Sequence, residues 1–315
     1  MKKHKVYIER LNPSDYQEWK KMRLEGIGGS DAAVALGMSP YKSPYYLWCE
    51  KTGRIEKDID NEAMRIGRDL EEYVAKRFCE VTGKKVRKSK YSYQSIEHPF
   101  MLANVDRFVV GESAGLECKT ASALNRTRYD KGDIPIQYYL QCMHYMAVTG
   151  LKKWYIAILV MGKEFHVFEI NRDEEEIKIL IEREKEFWDC VVNDVEPAID
   201  GTDSSCDALN ELYPKATKEE AIELINTKDL FDRYEELKQF KKKIDDELSM
   251  IENSIKQEME EHSSAYADSY KVSWKTVETN KFDTKRFKKE CDELYQKYII
   301  QTSSRRFQIK KIKED

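Results

Sequence analysis

Two carboxylates and a lysine lie close together in the sequence, about a third of the way along the chain. Asp106 falls in the alternating stretch 100–110, and Glu117 and Lys119 flank the apolar Cys118 in the stretch 115–120. Because successive side chains of a strand point to opposite faces, Glu117 and Lys119 share one face of their strand. A hairpin that turns through residues 111–115 would point Asp106, Glu117 and Lys119 at one small volume.

This group of charges has a definite chemical use. Carboxylates crowded beside a lysine in a largely apolar sheet are costly unless a bound cation compensates them. Hard oxygen ligands with a neighbouring amine suit Mg2+ and the hydrolysis of a phosphodiester. The same residues occur by chance in an ordinary hairpin with a solvated charged face, so the elements around them must decide between the two interpretations.

A predicted helix over residues 61–83 places a further carboxylate on an apolar face. One stripe of this helix advances in steps of three and four residues and consists of Met64, Gly67, Glu71, Val74 and Phe78. Gly83 follows the stripe, and a glycine at this position favours the end of a helix. Glu71 therefore lies in the middle of an apolar face, where a carboxylate needs a partner. It is predicted to be an additional metal contact, either directly or through a water, and the alternative is a rim glutamate paired with Arg68 or Lys76.

A second predicted helix, over residues 136–149, is apolar nearly all round and should be buried against the sheet. Pro135 precedes it and Gly150 ends it. Gln141 shares a stripe with Tyr138 and Tyr145, so its amide must find a partner in the interior. A metal-bound water, the Lys119 region or a backbone carbonyl would each serve.

The N-terminal region contains an arginine followed by a glycine-rich turn. Arg23 precedes Gly28 and Gly29, and Ser30 is a suitable N-cap for a short helix over residues 31–36. Free N–H groups at such a helix start, with Arg23 nearby, could hold a phosphate. A simple capped turn is the alternative.

The composition restricts the class of protein. The chain has 315 residues and a net charge of -4, with no apolar run long enough to cross a membrane and no apolar segment typical of a secretory signal at the N-terminus. Its seven cysteines lack C-x-x-C spacing, which argues against a zinc site or a disulfide framework and favours a reducing cytosol. A cytoplasmic protein without membrane contact is therefore expected.

The sequence predicts two domains, 1–200 and 201–315, separated by the polar segment 200–205. Residues 171–262 contain 28 acidic and 13 basic residues, whereas residues 271–313 contain 13 basic and 5 acidic ones. Apolar residues from Leu230 to Ile255 recur in heptad-like steps interrupted by Lys241, which predicts a long helix in a helical hairpin or stalk. A strand over residues 270–277, a helix over 284–298 and a closing strand near Phe307 would complete a small α+β tail.

Taken in chain order, these motifs resemble the YqaJ viral recombinase family, relatives of the lambda exonuclease in the PD-(D/E)xK superfamily. The resemblance covers roughly residues 23–197, and the ordered set is more specific than any single motif. It implies an α/β fold in which a mixed sheet is flanked by helices, followed by a C-terminal helical and α+β appendage. It also implies a Mg2+-dependent exonuclease that digests double-stranded DNA 5'-to-3' and leaves 3' single-stranded tails.

The resemblance also implies roles for the site residues. Asp106, Glu117 and the carbonyl of Cys118 would bind Mg2+, with Mn2+ as an alternative, and Glu71 would hold a second metal or its water. Lys119 would orient and help to deprotonate the attacking water, and Gln141 would support that lysine or water. Arg23 and Ser30 match the positions at which members of the family recognise the terminal 5'-phosphate. Val105 and Arg107 depart from the family's usual Pro and Gly around the aspartate, which leaves the metal ligand intact but puts the local turn outside the family's pattern.

Partners follow from the same resemblance. They are double-stranded DNA ends, a RecT-like single-strand annealing protein and further copies of the chain in a ring trimer, all in the cytoplasm of a bacterial host if a phage encodes the protein. One alternative is another PD-(D/E)xK nuclease, either structure-selective or specific for single strands. The other is a non-catalytic DNA-binding assembly protein that keeps the nuclease fold, although retention of Asp106, Glu117 and Lys119 argues against it.

Overall fold

The fold was established from a computed structural model that describes residues 8–13, 15–56, 61–123, 129, 132–218 and 220–312. The chain divides into two compact units, Met1–Pro214 and Lys215–Asp315. The strands of the first unit are β1 Ile8–Leu11, β2 Ile27–Gly28, β3 Val86–Lys88, β4 Ser92–Ser95, β5 Met101–Asn104, β6 Arg107–Val109, β7 Ala114–Ala121, β8 Lys153–Val160 and β9 Glu164–Asn171. Its helices are α1 Tyr16–Leu24, α2 Gly29–Ala35, α3 Pro44–Lys51, α4 Glu62–Thr82, α5 Ile136–Thr149, α6 Glu174–Val192 and α7 Asp203–Leu212.

A five-stranded mixed sheet forms the centre of the first unit, with the strand order β3-β6-β7-β8-β9. β7 and β8 run parallel, and the other neighbouring pairs run antiparallel. β8 is almost entirely buried, as its continuous apolar sequence requires of a central strand. Leu116 of β7 packs with Val74 and Phe78 of α4, whereas Ile156 of β8 packs in the cluster that contains residues of α5. The predicted mixed sheet flanked by helices is confirmed.

The second sheet has the order β1-β4-β5-β2, in which β2 runs parallel to β5. The prediction of one continuous strand over residues 100–110 is wrong. The chain leaves this sheet after Asn104 and enters the five-stranded sheet at Arg107, so that Val105 and Asp106 form the crossing. Alternation of apolar residues describes each short strand, but it carries no information about which sheet each strand joins.

Local signals fix the ends of the two helices that carry site residues. The side chain of Asn61 accepts a hydrogen bond from the N–H of Met64, and Gly83 ends α4 in the left-handed conformation with φ 70°. Gly150 ends α5 in the same way with φ 67°. Both predicted helices are present within one residue of their expected bounds.

A fully buried ion pair joins α5 to α6. His144 Nδ1 lies 2.8 Å from Glu184 Oε1, and His144 Nε2 lies 2.9 Å from the carbonyl oxygen of Leu102. Both ring nitrogens face acceptors, and this arrangement favours the imidazolium, in which both nitrogens donate. Burial by itself lowers the pKa of His144, but the charge and hydrogen bond of Glu184 outweigh it, and the net pKa is raised. No motif in the sequence had indicated this pair.

The first unit extends beyond the boundary placed after residue 200. The backbone N–H of Ser43 donates to Ser204 Oγ at 3.0 Å, and Ala208 of α7 is buried with residues of α3. The polar segment 200–205 therefore leads into a helix of the same unit. The first compact unit ends at Pro214.

The second unit contains a long helix, α8 Lys228–Met259, a hairpin of β10 Ser264–Ala267 and β11 Tyr270–Ser273, and the short helices α9 Thr284–Glu290 and α10 Asp292–Tyr298. The helix predicted over residues 284–298 is interrupted at Cys291, which has a non-helical φ of -135°. The closing strand predicted near Phe307 is wrong, since residues 299–312 contain no strand. None of the helices in the described part of the chain is long and apolar enough to cross a membrane.

Candidate active site

The structure brings Glu117, Lys119 and Gln141 together where β7 faces α5. Lys119 Nζ lies 2.7 Å from Glu117 Oε1, and Gln141 Nε2 donates to the same oxygen at 2.7 Å. Glu117 and Gln141 are buried, and the side chain of Lys119 is 22% exposed. The interior partner that Gln141 requires is therefore the carboxylate of Glu117.

Asp106 reaches the same strand from the crossing between the two sheets. Its Oδ2 accepts a hydrogen bond of 2.9 Å from the backbone N–H of Cys118, beyond the point where pairing between β6 and β7 ends. Burial raises the pKa of Asp106 well above its ordinary value, and the charge of Glu117 raises it further. A cation between the two carboxylates would relieve their mutual repulsion.

The second carboxylate oxygen of Glu117 tests whether these residues fit a metal ion. Glu117 Oε2 is buried and has no hydrogen-bond partner among the described residues. An unpartnered buried carboxylate oxygen is costly, and a divalent cation would satisfy it. Asp106, Glu117 and the backbone carbonyl of Cys118 offer hard oxygen donors of the kind that Mg2+ prefers, so the residues fit such an ion.

Glu71 does not join this group in the structure. It forms an ion pair with the guanidinium of Arg107, which also donates to Glu72 Oε2 at 2.7 Å and to the carbonyl oxygen of Asp106 at 2.8 Å. Within the described ranges, no three His, Cys, Asp or Glu side chains are grouped so as to hold a metal ion. A metal contact of Glu71 remains a prediction, and it would require Glu71 to leave Arg107.

Arg107 is a site residue that sequence analysis did not assign. It is only 2% exposed, and its burial by itself lowers its pKa, but the bonds to Glu71 and Glu72 outweigh this and raise it. The available signal was its position, because an arginine directly after Asp106 in a predicted buried strand needs a carboxylate partner. Which carboxylate it would contact depended on the packing of α4 against the sheet.

A tyrosine connects the glycine-rich turn to the carboxylates. The hydroxyl oxygen of Tyr145 accepts a hydrogen bond of 3.0 Å from Gln141 Nε2. A Cβ atom on Gly29 would lie 2.4 Å from the Tyr145 ring, so only glycine fits this approach. The Tyr145 ring also packs against Trp154, with 5.1 Å between ring centroids. The glycine of the turn is therefore required by packing against α5 and not by a turn conformation.

Arg23 and Ser30 are brought together, as predicted. Arg23 Nη2 donates to Ser30 Oγ at 3.1 Å and lies 3.4 Å from Asp31 Oδ1. Ser30 is not the N-cap, because α2 begins at Gly29 and the side chain of Asp31 accepts from the N–H of Gly28 at 3.1 Å. One of the N–H groups expected to be free for a phosphate is thus already bonded within the protein.

Lys51 completes this second group of charges. Its Nζ lies 2.8 Å from Asp31 Oδ2 and donates to the carbonyl oxygen of Arg23 at 2.7 Å. Burial raises the pKa of Asp31, but the charges of Lys51 and Arg23 outweigh it and lower the pKa far below its ordinary value. Asp31 therefore stays ionised and fixes Arg23, whose side chain remains 33% exposed, beside Ser30.

The fold and this site define a mixed α/β protein with a buried carboxylate–lysine centre. A model of the YqaJ-like viral recombinase domain matches residues 18–152. The chain is 38% identical to the uncharacterized protein YqaJ of Bacillus subtilis over 300 residues, which cover 94% of each protein. A segment of 71 residues is 35% identical to protein D345L of African swine fever virus and covers 20% of this chain and 19% of that protein.

The chain therefore belongs to the YqaJ-like viral recombinase family, as its motifs predicted. Among solved structures, it is similar to the alkaline exonuclease LHK-Exo of Laribacter hongkongensis, with a TM-score of 0.49, 21% identity and coverage of 57% of this chain and 95% of that one. It is also similar to a phage-related exonuclease of Haemophilus somnus, with a TM-score of 0.41, 13% identity and coverage of 56% and 99%.

Proposed function

We propose that this protein is a divalent-metal-dependent exonuclease that digests one strand of double-stranded DNA from its ends in the 5'-to-3' direction. The resulting 3' single-stranded tail would be the substrate of a RecT-like annealing protein. The observation that carries the proposal is the buried group of Asp106, Glu117 and Lys119, in which one oxygen of Glu117 has no described partner. Membership of a viral recombinase family supports the recombination context.

Asp106, Glu117 and the Cys118 carbonyl would hold Mg2+, with Mn2+ as the alternative ion. When bound, the ion supplies Lewis-acid stabilisation of the charged phosphodiester and of the attacking water. A second ion beside Glu71 would require the ion pair between Glu71 and Arg107 to open. Since the guanidinium already compensates Glu71, we expect the first site to bind more tightly than any second one.

Lys119 and Gln141 would orient the attacking water. Burial by itself lowers the pKa of Lys119, but the charge and hydrogen bond of Glu117 outweigh it and hold the pKa above its ordinary value. The Lys119 side chain is therefore an ammonium that donates hydrogen bonds, which suits it to orient the water and to stabilise negative charge on the phosphate. Gln141 fixes the Glu117 carboxylate from α5, so that Lys119 and Glu117 keep their relative positions.

Arg23 and Ser30 would bind the 5'-phosphate of the DNA end. Arg23 is already fixed by Asp31, and its guanidinium also lies over the Trp19 ring, 5.2 Å from the ring centroid. A guanidinium with a neighbouring hydroxyl is well suited to a terminal phosphate dianion. Assembly into a ring trimer and a cytoplasmic location belong to this proposal through the family resemblance alone.

An assay on DNA ends tests the proposal. Linear duplex DNA with 5'-phosphate ends should be digested about tenfold or more faster than the same DNA with 5'-hydroxyl ends, because a charge-assisted hydrogen bond is worth about 1.5–3 kcal/mol. Arg23→Gln should abolish the preference by slowing only the phosphorylated substrate. The matched control is Lys21→Gln, which removes an exposed charge from the same helix.

The same assay separates the alternatives. Cleavage inside covalently closed circles, or of flaps and single strands in preference to duplex ends, would indicate another nuclease of the same fold. DNA binding without any cleavage in Mg2+ or Mn2+ would indicate a non-catalytic assembly protein. Either result would overturn the exonuclease proposal.

Calorimetric titration with Mn2+ tests the metal site independently of activity. Glu117→Gln should weaken binding by about tenfold or more, since even the loss of a group that only supports a metal ligand typically costs that much. Glu97→Gln, which neutralises an exposed glutamate, serves as the control. Equal Mn2+ affinity of wild type and Glu117→Gln would exclude Glu117 as a ligand.

A further inference from the structure

The long helix of the second unit carries an exposed stripe of apolar residues. Nearly every residue of α8 is exposed, and each apolar member of this stripe keeps at least 38% of its surface accessible. We define the α8 seam by the following residues: Leu230, Tyr234, Leu237, Lys241, Ile244, Leu248, Ile251 and Ile255. A stripe of this kind is a surface at which another helix packs.

The spacing of the α8 seam is that of a coiled coil. Leu230, Leu237, Ile244 and Ile251 recur every seven residues and occupy the d positions of successive heptads. Tyr234, Lys241, Leu248 and Ile255 recur every seven residues as well and occupy the a positions. The seam therefore follows one side of the helix for about 37 Å, at a rise of 1.5 Å per residue, and drifts by only about 20° per heptad. Such strict periodicity indicates a partner helix of similar length.

The charges beside the seam argue against a parallel pair of α8 helices. In a parallel pair, each g residue meets the following e residue of the other helix. This would place Arg233 against Lys238 of the second copy and Glu247 against Glu252 of the second copy. It would also place Lys241 directly opposite Lys241 of the second copy. All three contacts join like charges.

The same charges favour an antiparallel pair. When each a position of one helix is aligned with a d position of the other, the e residues of the two helices face each other. Lys238 then lies opposite Asp245 of the second copy, and symmetry forms this contact twice. No like charges meet at the e and g positions in this register. Lys241 packs its aliphatic stem on Ile244 of the second copy, and its amine can reach Asp245 of that copy. The remaining layers join apolar residues, such as Leu237 with Leu248.

We propose that α8 pairs in antiparallel orientation with α8 of a second copy of this chain through the α8 seam. The contact is two-fold symmetric and closed, so each seam accepts one partner. It is therefore distinct from a head-to-tail contact around a ring. If the chain also forms a ring of three subunits, the seam would join two rings, and the number of chains in the particle would still be even.

Light scattering coupled to size-exclusion chromatography tests this on the full chain. The wild type should have the mass of two or six chains. Leu237→Glu, which places a charge where the seam meets Leu248 of the second copy, should weaken the pairing by roughly 100-fold or more, because both copies lose a buried apolar side chain. The control Gln239→Glu adds the same charge on the opposite face of α8 and should keep the wild-type mass.

A monomeric or trimeric wild type, or a Leu237→Glu protein of unchanged mass, would overturn the proposal. Circular dichroism checks that Leu237→Glu keeps its helix content. If the helix content falls, the proposal is decided by the orientation experiment on Lys238, which leaves the apolar seam intact. The test does not depend on nuclease activity, so its failure would leave the proposed function untouched.

Reversing one charge tests the orientation. Lys238→Glu should weaken the antiparallel pair by about tenfold, since two attractive contacts with Asp245 become repulsive, and the double variant Lys238→Glu/Asp245→Lys should restore the wild-type affinity. In a parallel pair, Lys238→Glu would instead meet Arg233 and strengthen association. Sedimentation equilibrium measures the difference, and a stronger or unchanged Lys238→Glu pair would exclude the antiparallel arrangement.

Discussion

Lys119→Ala should lower the rate of DNA cleavage by roughly 10²–10⁴-fold, the range expected when a proton donor or a stabilising charge is removed from a reacting centre. The Lys119 ammonium lies 2.7 Å from Glu117 Oε1 and faces the carboxylates that would hold the metal. Its removal leaves Asp106, Glu117 and the Cys118 carbonyl in place. The loss should therefore appear in kcat, with little change in protein folding.

Metal affinity gives this prediction a second readout. The ammonium and a divalent cation compete for the same carboxylate, so Lys119→Ala should bind Mn2+ as tightly as the wild type or more tightly. Initial rates on end-labelled linear duplex DNA and calorimetric titration with Mn2+ provide the two measurements. Lys163→Ala, which removes an exposed lysine from the turn between β8 and β9, is the control.

Equal digestion of DNA by the wild type and Lys119→Ala would refute the role assigned to Lys119. A variant that lost both cleavage and Mn2+ binding would point instead to a structural role, in which Lys119 maintains the position of Glu117. Only the combination of slow cleavage and retained metal binding agrees with an ammonium that orients water or stabilises charge.

His144→Leu should lower the free energy of unfolding of the first unit by about 3–5 kcal/mol, because it leaves the Glu184 carboxylate buried without its charged partner. Both side chains are fully buried, and His144 also donates to the carbonyl oxygen of Leu102. Urea unfolding followed by tryptophan fluorescence reports on this unit, since Trp48 and Trp154 are fully buried there.

The double variant His144→Leu/Glu184→Leu distinguishes a lost charge pair from lost packing. Replacing both members of a buried ion pair by apolar residues is often neutral or stabilising, so the double variant should recover most of the stability lost in His144→Leu. A double variant as unstable as the single one would show that the shape of the imidazole ring, and not its charge, matters at this position.

The pH dependence of stability follows from the direction of the pKa shift. The pKa of His144 is raised above its ordinary value of 6.5 in the folded protein, although burial alone would lower it. A raised pKa means that the folded state binds the proton more tightly than the unfolded state does. The contribution of His144 to stability is therefore complete below about pH 6.5 and is lost as the pH rises through the raised pKa. The double variant should lack this component of the pH dependence.

Much of the fold and part of the site could be predicted because the relevant signals are local. Asn61 and Gly83 bound α4, and Gly150 ends α5, so both helices could be located from their caps and apolar stripes. The two-residue period of a strand was enough to place Glu117 and Lys119 on one face. Each of these features depends on residues within a few positions of one another in the chain.

Other features depended on the packing of distant segments. The strand predicted over residues 100–110 divides between two sheets, which leaves Asp106 at the crossing with its carboxylate bonded to the N–H of Cys118. Ser30 was expected to cap α2, but Gly28 is the N-cap, and its N–H donates to Asp31, which is held by Lys51 from α3. In each case the sequence showed a polar group that needed a partner, and several partners were equally compatible with it.

The sequence by itself therefore determined which residues are candidates for the chemistry and which local elements contain them. Only the tertiary structure decided that Arg107 holds Glu71, that Gln141 bonds to Glu117, and that His144 pairs with Glu184. The physical reason is that a strand or helix period fixes the face on which a side chain lies, whereas its partner is fixed by which faces are packed together. That packing depends on apolar burial summed over the whole domain, to which no single motif contributes enough to be decisive.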